Sequence, residues 1–232
     1  MRAIILAAGM GTRLRPLTND TPKGLVKVNG VSMVEREIEN LKEIGIDEII
    51  VVTGYLKDKF DYLKEKYGVK LIHNDKYDVY NNLYTMYLVR EYLEDSYVLE
   101  SDIYMNRNVL DKKISKTTYF GAKEVNFENE WIFKADTDNR IKEMYVGSSD
   151  EDIILRGISY WTKEDGKYIA KKIEEAVNTS GFDNLYWDEV VIDNIKNIEI
   201  QLKVLKDDDV FEIDSVNDLK KVEEILLKSK LR

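Results

Sequence analysis

The chain has 232 residues, a formal net charge of −9, one histidine and no cysteine. The lack of cysteine excludes disulfides, thiolate catalysis and cysteine-ligated zinc. The negative charge disfavours general binding to nucleic acids or anionic membranes, because such binding depends on neutralising phosphates. The chain is 44% hydrophobic and 34% charged, as in globular proteins, and no apolar run approaches the ~20 residues of a membrane span. We therefore expect one cytoplasmic domain over residues 1–232, with no nucleic-acid or membrane partner.

The first half of the chain alternates short apolar runs with amphipathic segments. Residues 3–6 predict a buried strand, and a loop follows over residues 9–23. Ser32 with Glu35 is a capping box that begins a helix, which ends at Gly45. Further strands are predicted at residues 48–53, 69–72 and 97–100, with helices at residues 55–67 and from residue 82. This alternation predicts an α/β fold, with a mostly parallel sheet covered by helices on both faces.

From residue 117 the pattern changes to strand-like segments with little helix between them. The segments are residues 117–122, 131–134, 141–146 and 153–161, and they predict a β-meander added to the sheet or an arm beside it. A helix over residues 163–177, a strand over residues 198–204 and a last amphipathic helix follow. Ser215 is the predicted N-cap of that helix. We expect the helix to reach about residue 227, with five inward side chains: Val216, Leu219, Val222, Ile225 and Leu226.

The loop after the first strand carries the strongest chemical signal. Gly9 and Gly11 allow the backbone to approach a ligand closely and to turn its N–H groups inward. Arg13 and Lys23 add positive charge, and N–H donors flanked by cations bind polyphosphates, so we predict a nucleoside triphosphate here. The sequence lacks the P-loop pattern. Leu14 stands where the dinucleotide fingerprint requires glycine, which disfavours a nicotinamide dehydrogenase.

A longer motif connects this loop to a known family. Residues 6–16 read L-A-A-G-M-G-T-R-L-R-P, with T-P-K at residues 21–23, which resembles the signature of the nucleotidylyltransferases. The wider chain is similar to a narrower branch, the bacterial choline-phosphate cytidylyltransferases. The similar segments cover most of the chain: residues 54–57, 60–69, 74–77, 80–82, 129–131, 185–188 and 212–215.

This resemblance implies both a fold and a reaction. The fold is Rossmann-like, of the nucleotide-diphospho-sugar transferase type, with a three-layer, mostly parallel sheet and a small β-rich insertion that binds the acceptor. The reaction is Mg²⁺-dependent transfer of CMP from CTP to phosphocholine, giving CDP-choline and pyrophosphate. Other acceptors stay open within the same chemistry: phosphoethanolamine, 2-aminoethylphosphonate or a sugar 1-phosphate. A catalytically silent nucleotide sensor is a further alternative, which the retained charged residues disfavour. The oligomeric state stays open.

The resemblance also assigns residues to the nucleotide. Gly9 and Gly11 bind the β- and γ-phosphates, Arg13 holds the leaving pyrophosphate, and Lys23 contacts the α-phosphate. Phosphoryl transfer depends mainly on positioning and charge neutralisation, which these residue types provide. The nucleotide-binding set is Leu6, Ala8, Gly9, Gly11, Thr12, Arg13 and Lys23, with Asn81 and Asn82 as candidates for the cytosine. Capping of a helix by Asn82 is an equal alternative.

Two aspartates resemble the metal-binding pair of the family. Asp102 follows a predicted strand, and ligands of open α/β sheets bind at the carboxyl ends of strands. Asp214 precedes the last helix, with Glu212 two residues before it. By resemblance, Asp102, Glu212 and Asp214 hold Mg²⁺, and the catalytic set is Arg13, Lys23, Asp102 and Asp214. The alternatives are a turn role for Asp102 and a capping role for Asp214.

Aromatic residues beside carboxylates mark the candidate acceptor pocket. A quaternary ammonium is bound by aromatic faces with negative charge nearby, because it offers no strong hydrogen-bond donor. The candidate set is Glu130, Trp131, Tyr186, Asp188 and Glu212. A strand over residues 185–187 would turn Tyr186 and Trp187 to opposite faces, and the resemblance favours Tyr186 as the ligand-facing one. The alternative is that these aromatic side chains belong to the core.

Overall fold

The computed structural model describes residues 1–230, with side chains up to residue 228. Within this range the strands are β1 (Arg2–Ala7), β2 (Lys27–Val28), β3 (Val31–Ser32), β4 (Ile49–Thr53), β5 (Lys70–His73), β6 (Ser96–Glu100), β7 (Ile103–Met105), β8 (Thr118–Ala135), β9 (Ile141–Trp161), β10 (Gln201–Leu205) and β11 (Val210–Glu212). The α-helices are α1 (Met33–Glu43), α2 (Tyr62–Tyr67), α3 (Asn82–Val89), α4 (Lys163–Val177), α5 (Trp187–Asn194) and α6 (Val216–Lys230). In this part of the chain, no helix is long and apolar enough to cross a membrane. The single domain of residues 1–232 stays a prediction, and its last two residues lie outside the described ones.

Seven strands form one sheet, in the order β10-β8-β9-β6-β1-β4-β5. β1 pairs in parallel with β4 and β6, β4 with β5, and β8 with β10. β9 runs antiparallel to both of its neighbours, β6 and β8. The prediction of a mostly parallel sheet is therefore confirmed. Because β1 and β6 are parallel neighbours, their carboxyl ends meet at one edge, where the Ser101 N–H donates to the Leu6 carbonyl at 3.3 Å.

Helices cover both faces of the sheet, because alternate residues of a buried strand point to opposite sides. Ala3 and Ile5 of β1 pack in one core with α1 and α2, whereas Ile4 packs in a second core with α3, α4 and α5. Ser32 caps α1 as predicted, since its Oγ accepts a hydrogen bond from the Glu35 N–H at 3.3 Å. The result is the predicted three-layer, Rossmann-like arrangement.

The β-rich second half differs from the prediction of four short strands. The predicted segments merge into two long strands, β8 and β9, which pair along most of their length. The pairing shifts register between Phe127 and Glu130, and Asn126 and Asn129 have positive φ there. Polar residues of this kind indicate loops in a sequence, but the long strands accommodate them as β-bulges. Both strands join the sheet at one end and extend beyond it as an arm, residues 123–135 and 141–153, which we call the ribbon.

The last helix, α6, packs over the loop that follows β1. Its buried side chains form a third core with residues from that loop, the small β2–β3 hairpin and α1: Leu14, Val26, Val28, Met33, Ile213, Leu219, Val222 and Leu226. Ser215 is the N-cap, because its Oγ accepts from the Asp218 N–H at 3.2 Å and its own N–H donates to Asp218 Oδ2 at 2.9 Å. Two details of the prediction are wrong. The helix extends to Lys230, and Ile225 is 43% exposed instead of inward.

Candidate active site

A cavity of about 670 Å³ opens at the shared carboxyl edge of β1 and β6. Its walls come from distant parts of the chain: the loop after β1, the start of α3, the residues after β6, the ribbon, the residue before α5, and the segment between β11 and α6. This is the edge at which open α/β sheets bind ligands, because the strand ends and the loops between them leave a crevice.

Glycine is found at two positions of the loop after β1 for different structural reasons. Gly11 has a φ of +58°, and a Cβ there would lie 2.8 Å from the Cβ of Lys23, so both conformation and space require glycine. The carbonyl of Gly11 accepts a hydrogen bond from Thr18 Oγ1 at 2.8 Å. A Cβ on Gly9 would meet no protein atom within 4 Å, although Gly9 lines the cavity. The backbone at Gly9 therefore stands open to a ligand that approaches closely.

Lys23 lies at the centre of an ion-pair network on the cavity floor. Its Nζ donates to Asp102 Oδ2 at 2.7 Å and to Asp214 Oδ1 at 2.5 Å. Arg13 Nη2 contacts the same Asp214 oxygen at 2.9 Å, but the Arg13 side chain is 73% exposed. Burial alone would lower the pKa of Lys23, yet the two carboxylates outweigh it and raise that pKa above its ordinary value. Lys23 is therefore a permanent cation. The capping of α6 by Ser215 leaves Asp214 free for this network.

Three carboxylates of this floor could hold a metal ion. One oxygen from each of Asp102, Glu212 and Asp214 lies within 4.8 Å of the others. Asp102 Oδ1 is buried and has no hydrogen-bond partner in the described part of the chain. Burial, followed by the charges of Asp102 and Asp214, raises the pKa of Glu212 well above its usual range. An all-oxygen donor set with a surplus of negative charge fits a hard divalent cation.

The aromatic wall of the cavity is formed by the ribbon and by the residue before α5. The rings of Trp131 and Tyr186 meet edge to face, with their centroids 6.1 Å apart. Glu130 lies beside Trp131, and burial, followed by the charge of Asp214, raises the pKa of its carboxyl. Trp187 is 3% exposed and packs in the core. The two aromatics thus point apart as expected, although Trp187 begins a helix and the predicted strand over residues 185–187 is not formed.

The structure brings most of the predicted site residues to this one cavity. Those that line it are Leu6, Ala8, Gly9, Gly11, Thr12, Arg13, Lys23, Asn82, Asp102, Glu130, Trp131, Tyr186, Glu212 and Asp214. Asn81 and Asp188 do not line it. Asn81 is the N-cap of α3, in place of Asn82, because its Oδ1 accepts from the Asn82 N–H at 2.8 Å and its Nδ2 donates to the Asn184 carbonyl at 2.9 Å. Asp188 is 1% exposed and accepts a hydrogen bond from Tyr119 Oη at 2.8 Å. Both side chains are committed to protein partners, so the geometry does not support their predicted ligand contacts.

Several lining residues were missed in the sequence: Thr85, Glu100, Ser101, Glu128, Asn129 and Val146. Glu100 and Ser101 end β6 immediately before Asp102, so the strand-end rule that selected Asp102 could have included them. Thr85 lies one helical turn after Asn82, and helical spacing places it on the same face. The ribbon residues gave no such signal, because bulges displace them from the simple alternation of a strand.

Comparison with known proteins agrees with this geometry. Residues 2–144 match the family model described as nucleotidyl transferase. The chain is 46% identical over 226 residues to the choline-phosphate cytidylyltransferase of Streptococcus pneumoniae, with 97% of this chain and 98% of that protein covered. It is 35% identical over 221 residues to the 2-aminoethylphosphonate cytidylyltransferase of Lancefieldella rimae, with 94% of this chain and 89% of that protein covered.

A solved structure gives the same result for the fold. The structure of the CTP:phosphocholine cytidylyltransferase of Streptococcus pneumoniae superimposes with a TM-score of 0.94 at 47% sequence identity. The superposition covers 97% of this chain and 98% of that one, so the ribbon and the last helix are included along with the sheet.

Proposed function

Because the chain belongs to the nucleotidyl transferase family, we propose that it transfers CMP from CTP to phosphocholine and releases pyrophosphate. One observation carries the proposal: a single cavity joins a glycine loop with two cations, a triad of carboxylates, and an aromatic wall. Similarity over almost the whole length to a choline-phosphate cytidylyltransferase supports the same reaction. A cytoplasmic location belongs to the proposal as well, and the nucleotide substrate supports it.

The glycine loop and its cations form the triphosphate end of the cavity. The open backbone at Gly9 lets phosphate oxygens approach the N–H groups of the loop, and Gly11 fixes the turn beside Lys23. The exposed guanidinium of Arg13 can bind two oxygens of the leaving pyrophosphate at once. Lys23 provides a compact charge for the α-phosphate, where negative charge increases during transfer.

The carboxylate triad is the proposed Mg²⁺ site. Asp102, Glu212 and Asp214 provide oxygen ligands, and the unpartnered Asp102 Oδ1 is an oxygen that such an ion would satisfy. When bound, Mg²⁺ neutralises phosphate charge and orients the α-phosphorus. With such an ion paired to the two aspartates, the Nζ of Lys23 would be released from them and could contact the α-phosphate.

The aromatic wall is the proposed choline end. The edge-to-face rings of Trp131 and Tyr186 offer π-faces to a quaternary ammonium, and the carboxyl groups of Glu130 and Glu212 line the same cavity. No residue has to take a proton from the acceptor, because the phosphate of phosphocholine is already an anion at neutral pH. Its oxygen attacks the α-phosphorus in line with the leaving pyrophosphate, and the protein contributes positioning and charge.

An acceptor panel tests the proposal. The protein is incubated with CTP and Mg²⁺, and with phosphocholine, phosphoethanolamine, 2-aminoethylphosphonate or glucose 1-phosphate, and nucleotide product and pyrophosphate are both quantified. We expect CDP-choline as the fastest product, with loss of turnover in excess EDTA. A much higher kcat/KM for any other acceptor would contradict the choline assignment.

One other acceptor has specific support. The 2-aminoethylphosphonate cytidylyltransferase that is 35% identical to the chain makes this phosphonate the second candidate. A primary ammonium binds best to hydrogen-bond acceptors, whereas a quaternary ammonium depends on aromatic faces. The aromatic pair of Trp131 and Tyr186 therefore favours phosphocholine.

A further inference from the structure

Thr85 lines the cavity but has no part in the proposed binding of the triphosphate, the metal ion or the acceptor. It lies in α3 one turn after Asn82, and its side chain takes part in a buried hydrogen bond. The Nδ2 group of Asn74, a residue with no exposed surface, donates to Thr85 Oγ1 at 3.0 Å. A buried amide thus holds the hydroxyl group of a residue that lines the cavity.

The orientation of this amide is fixed by a second hydrogen bond. Asn74 Oδ1 accepts from the Lys76 N–H at 2.8 Å, so the nitrogen of the amide, and not its oxygen, faces Thr85. The main chain is held too, because the Asn74 N–H donates to the Thr53 carbonyl at 2.8 Å. Thr85 Oγ1 is therefore the acceptor in its contact with Asn74, and the hydroxyl proton remains to be donated elsewhere.

The protein offers no acceptor for that proton among residues 1–230. A threonine in a helix commonly donates to the carbonyl four residues earlier. Thr179, two residues after the end of α4, makes a bond of this kind to the Glu175 carbonyl at 3.0 Å. Thr85 makes no such bond within the described range. Thr85 is 5% exposed and lines the cavity, so a hydrogen-bond acceptor for its hydroxyl group can come from a ligand in the cavity.

The start of α3 gives the cavity a stretch of wall without charged side chains. The cations Arg13 and Lys23 mark the phosphate end of the cavity, and the aromatic wall marks the acceptor end. The start of α3 packs on β1, because Leu83 and Ile4 share one core, and it places the uncharged side chains of Asn82 and Thr85 over the end of that strand. A neutral, polar wall suits a heterocyclic base and neither of the charged groups.

We propose that Thr85 reads the base by donating its hydroxyl proton to the ring N3 of cytosine, an inference that rests on the proposed use of CTP. N3 of cytosine is an unprotonated acceptor, whereas N3 of uracil carries a hydrogen. With uracil, the N3–H donor would face the hydroxyl donor of Thr85. Either the two hydrogens would meet, or the Thr85 hydroxyl would rotate away and remain buried without a hydrogen-bond acceptor. Thr85 is thus the specificity-determining residue, and Asn74 is the positioning residue that keeps it a donor.

The ratio of the dissociation constants of CTP and UTP, measured by calorimetry with Mg²⁺ and without acceptor, tests this assignment. Thr85→Val keeps the shape and removes the proton, so the preference of the protein for CTP should fall by about tenfold or more. Thr85→Ser keeps the hydroxyl and should retain the preference. Thr118→Val is the matched control, because Thr118 is a buried threonine of β8 outside this cavity, and it should change neither constant.

The variant Asn74→Asp tests the positioning role. A carboxylate opposite Thr85 would accept a hydrogen bond from the hydroxyl group, so that an oxygen lone pair of Thr85 would face the base. The nucleotide preference of the protein should then shift toward UTP. If the role of Asn74 is merely structural, Asn74→Asp should weaken the binding of CTP and of UTP by the same factor. An unchanged ratio in Thr85→Val, with intact CTP binding by the wild type, would overturn this inference alone. A wild-type protein that binds UTP as tightly as CTP would overturn it together with the proposed use of CTP, whereas an acceptor other than phosphocholine would affect only the proposed function.

Discussion

The proposed triphosphate end and the proposed acceptor end of the cavity are built in opposite ways. At the triphosphate end, Gly9, Gly11, Arg13 and Lys23 come from one short loop, whose shape is set by local turns and one hydrogen bond. At the acceptor end, Trp131 and Tyr186 lie in separate elements that meet only in the folded protein. A contiguous loop can be recognised from its sequence, whereas an assembled wall depends on the packing of the ribbon against α5. The difference predicts that variants at the first end lose chemistry, and that variants at the second lose either acceptor selectivity or stability.

The largest effect is expected for Lys23→Met, at the triphosphate end. Loss of the cation leaves the α-phosphate uncompensated in the transition state, so kcat/KM should fall by about 10²–10³-fold, the cost of removing one preorganised charge. Steady-state kinetics with CTP and phosphocholine measure it. Lys27→Met is the control, because Lys27 is exposed on β2 nearby. A loss of less than about tenfold in Lys23→Met would place this lysine outside the reaction.

The second effect concerns Asp188, behind the acceptor end. Burial raises the pKa of its carboxyl to about 7, so the folded protein keeps a proton there that the unfolded chain has already lost. The free energy of unfolding therefore falls as the pH rises from about 4 to 7. Asp188→Asn removes this penalty and should be more stable than the wild type at pH 8, by on the order of 4 kcal/mol, with little difference at pH 4.

Urea unfolding at several pH values measures the Asp188 effect. Asp193→Asn serves as the control, because Asp193 is an exposed residue of the same helix, and it should show no such pH dependence. A difference between Asp188→Asn and the wild type that is independent of pH would show that the carboxyl is ionised in the folded protein.

The third effect separates the two glycines of the loop. Gly11→Ala forces a side chain into a left-handed conformation and against Lys23, so the free energy of unfolding should fall by about 1–2 kcal/mol or more. Gly9→Ala adds a methyl group in open space, so stability should stay within about 0.5 kcal/mol while CTP binds more weakly. Denaturant unfolding and CTP titration distinguish the two variants. An equal loss of stability in both would contradict the idea that Gly9 serves the ligand.

The smallest effect is expected for Trp131→Ala, at the acceptor end. Loss of a cation–π contact should reduce kcat/KM for phosphocholine by about 2- to 30-fold, equivalent to about 0.5–2 kcal/mol, and leave the dissociation constant of CTP unchanged. Trp131→Phe retains a π-face and should recover most of the activity. If Trp131→Ala lowers kcat/KM for phosphocholine and for 2-aminoethylphosphonate by the same factor, the ring supports the wall but does not distinguish the ammonium groups.

The sequence predicts the sheet well, because its strands are buried apolar runs separated by capped helices. The capping of α1 by Ser32 and of α6 by Ser215, and the bounds of α4, follow from local signals and are confirmed. The ribbon was misread as short strands, because positive-φ asparagines resemble loops until a partner strand is known. Ile225 was misplaced because helical periodicity alone does not show how wide the packed face is.

The candidate site divides in the same way. The glycine loop and its cations can be predicted residue by residue, because they lie within one short stretch of sequence, and the structure places them along the cavity. Thr85 was not identified, because its significance depends on the distant amide of Asn74, which no local pattern reveals. The charge of Asp188 makes it a candidate ligand in the sequence, but only the fold shows that it is buried behind the aromatic wall, where it accepts a hydrogen bond from Tyr119.

The hydrogen bond from Lys23 to Asp214 joins residues that are 191 positions apart in the chain. Asp214 directly precedes α6, and α6 packs on the loop that carries Lys23. A nucleotide that engages this floor therefore binds only molecules in which the last helix is docked, and its binding free energy adds to the stability of that docking. Fraying of α6 and escape of the nucleotide become linked events, so bound CTP should slow amide hydrogen exchange in α6, far along the chain from the glycine loop.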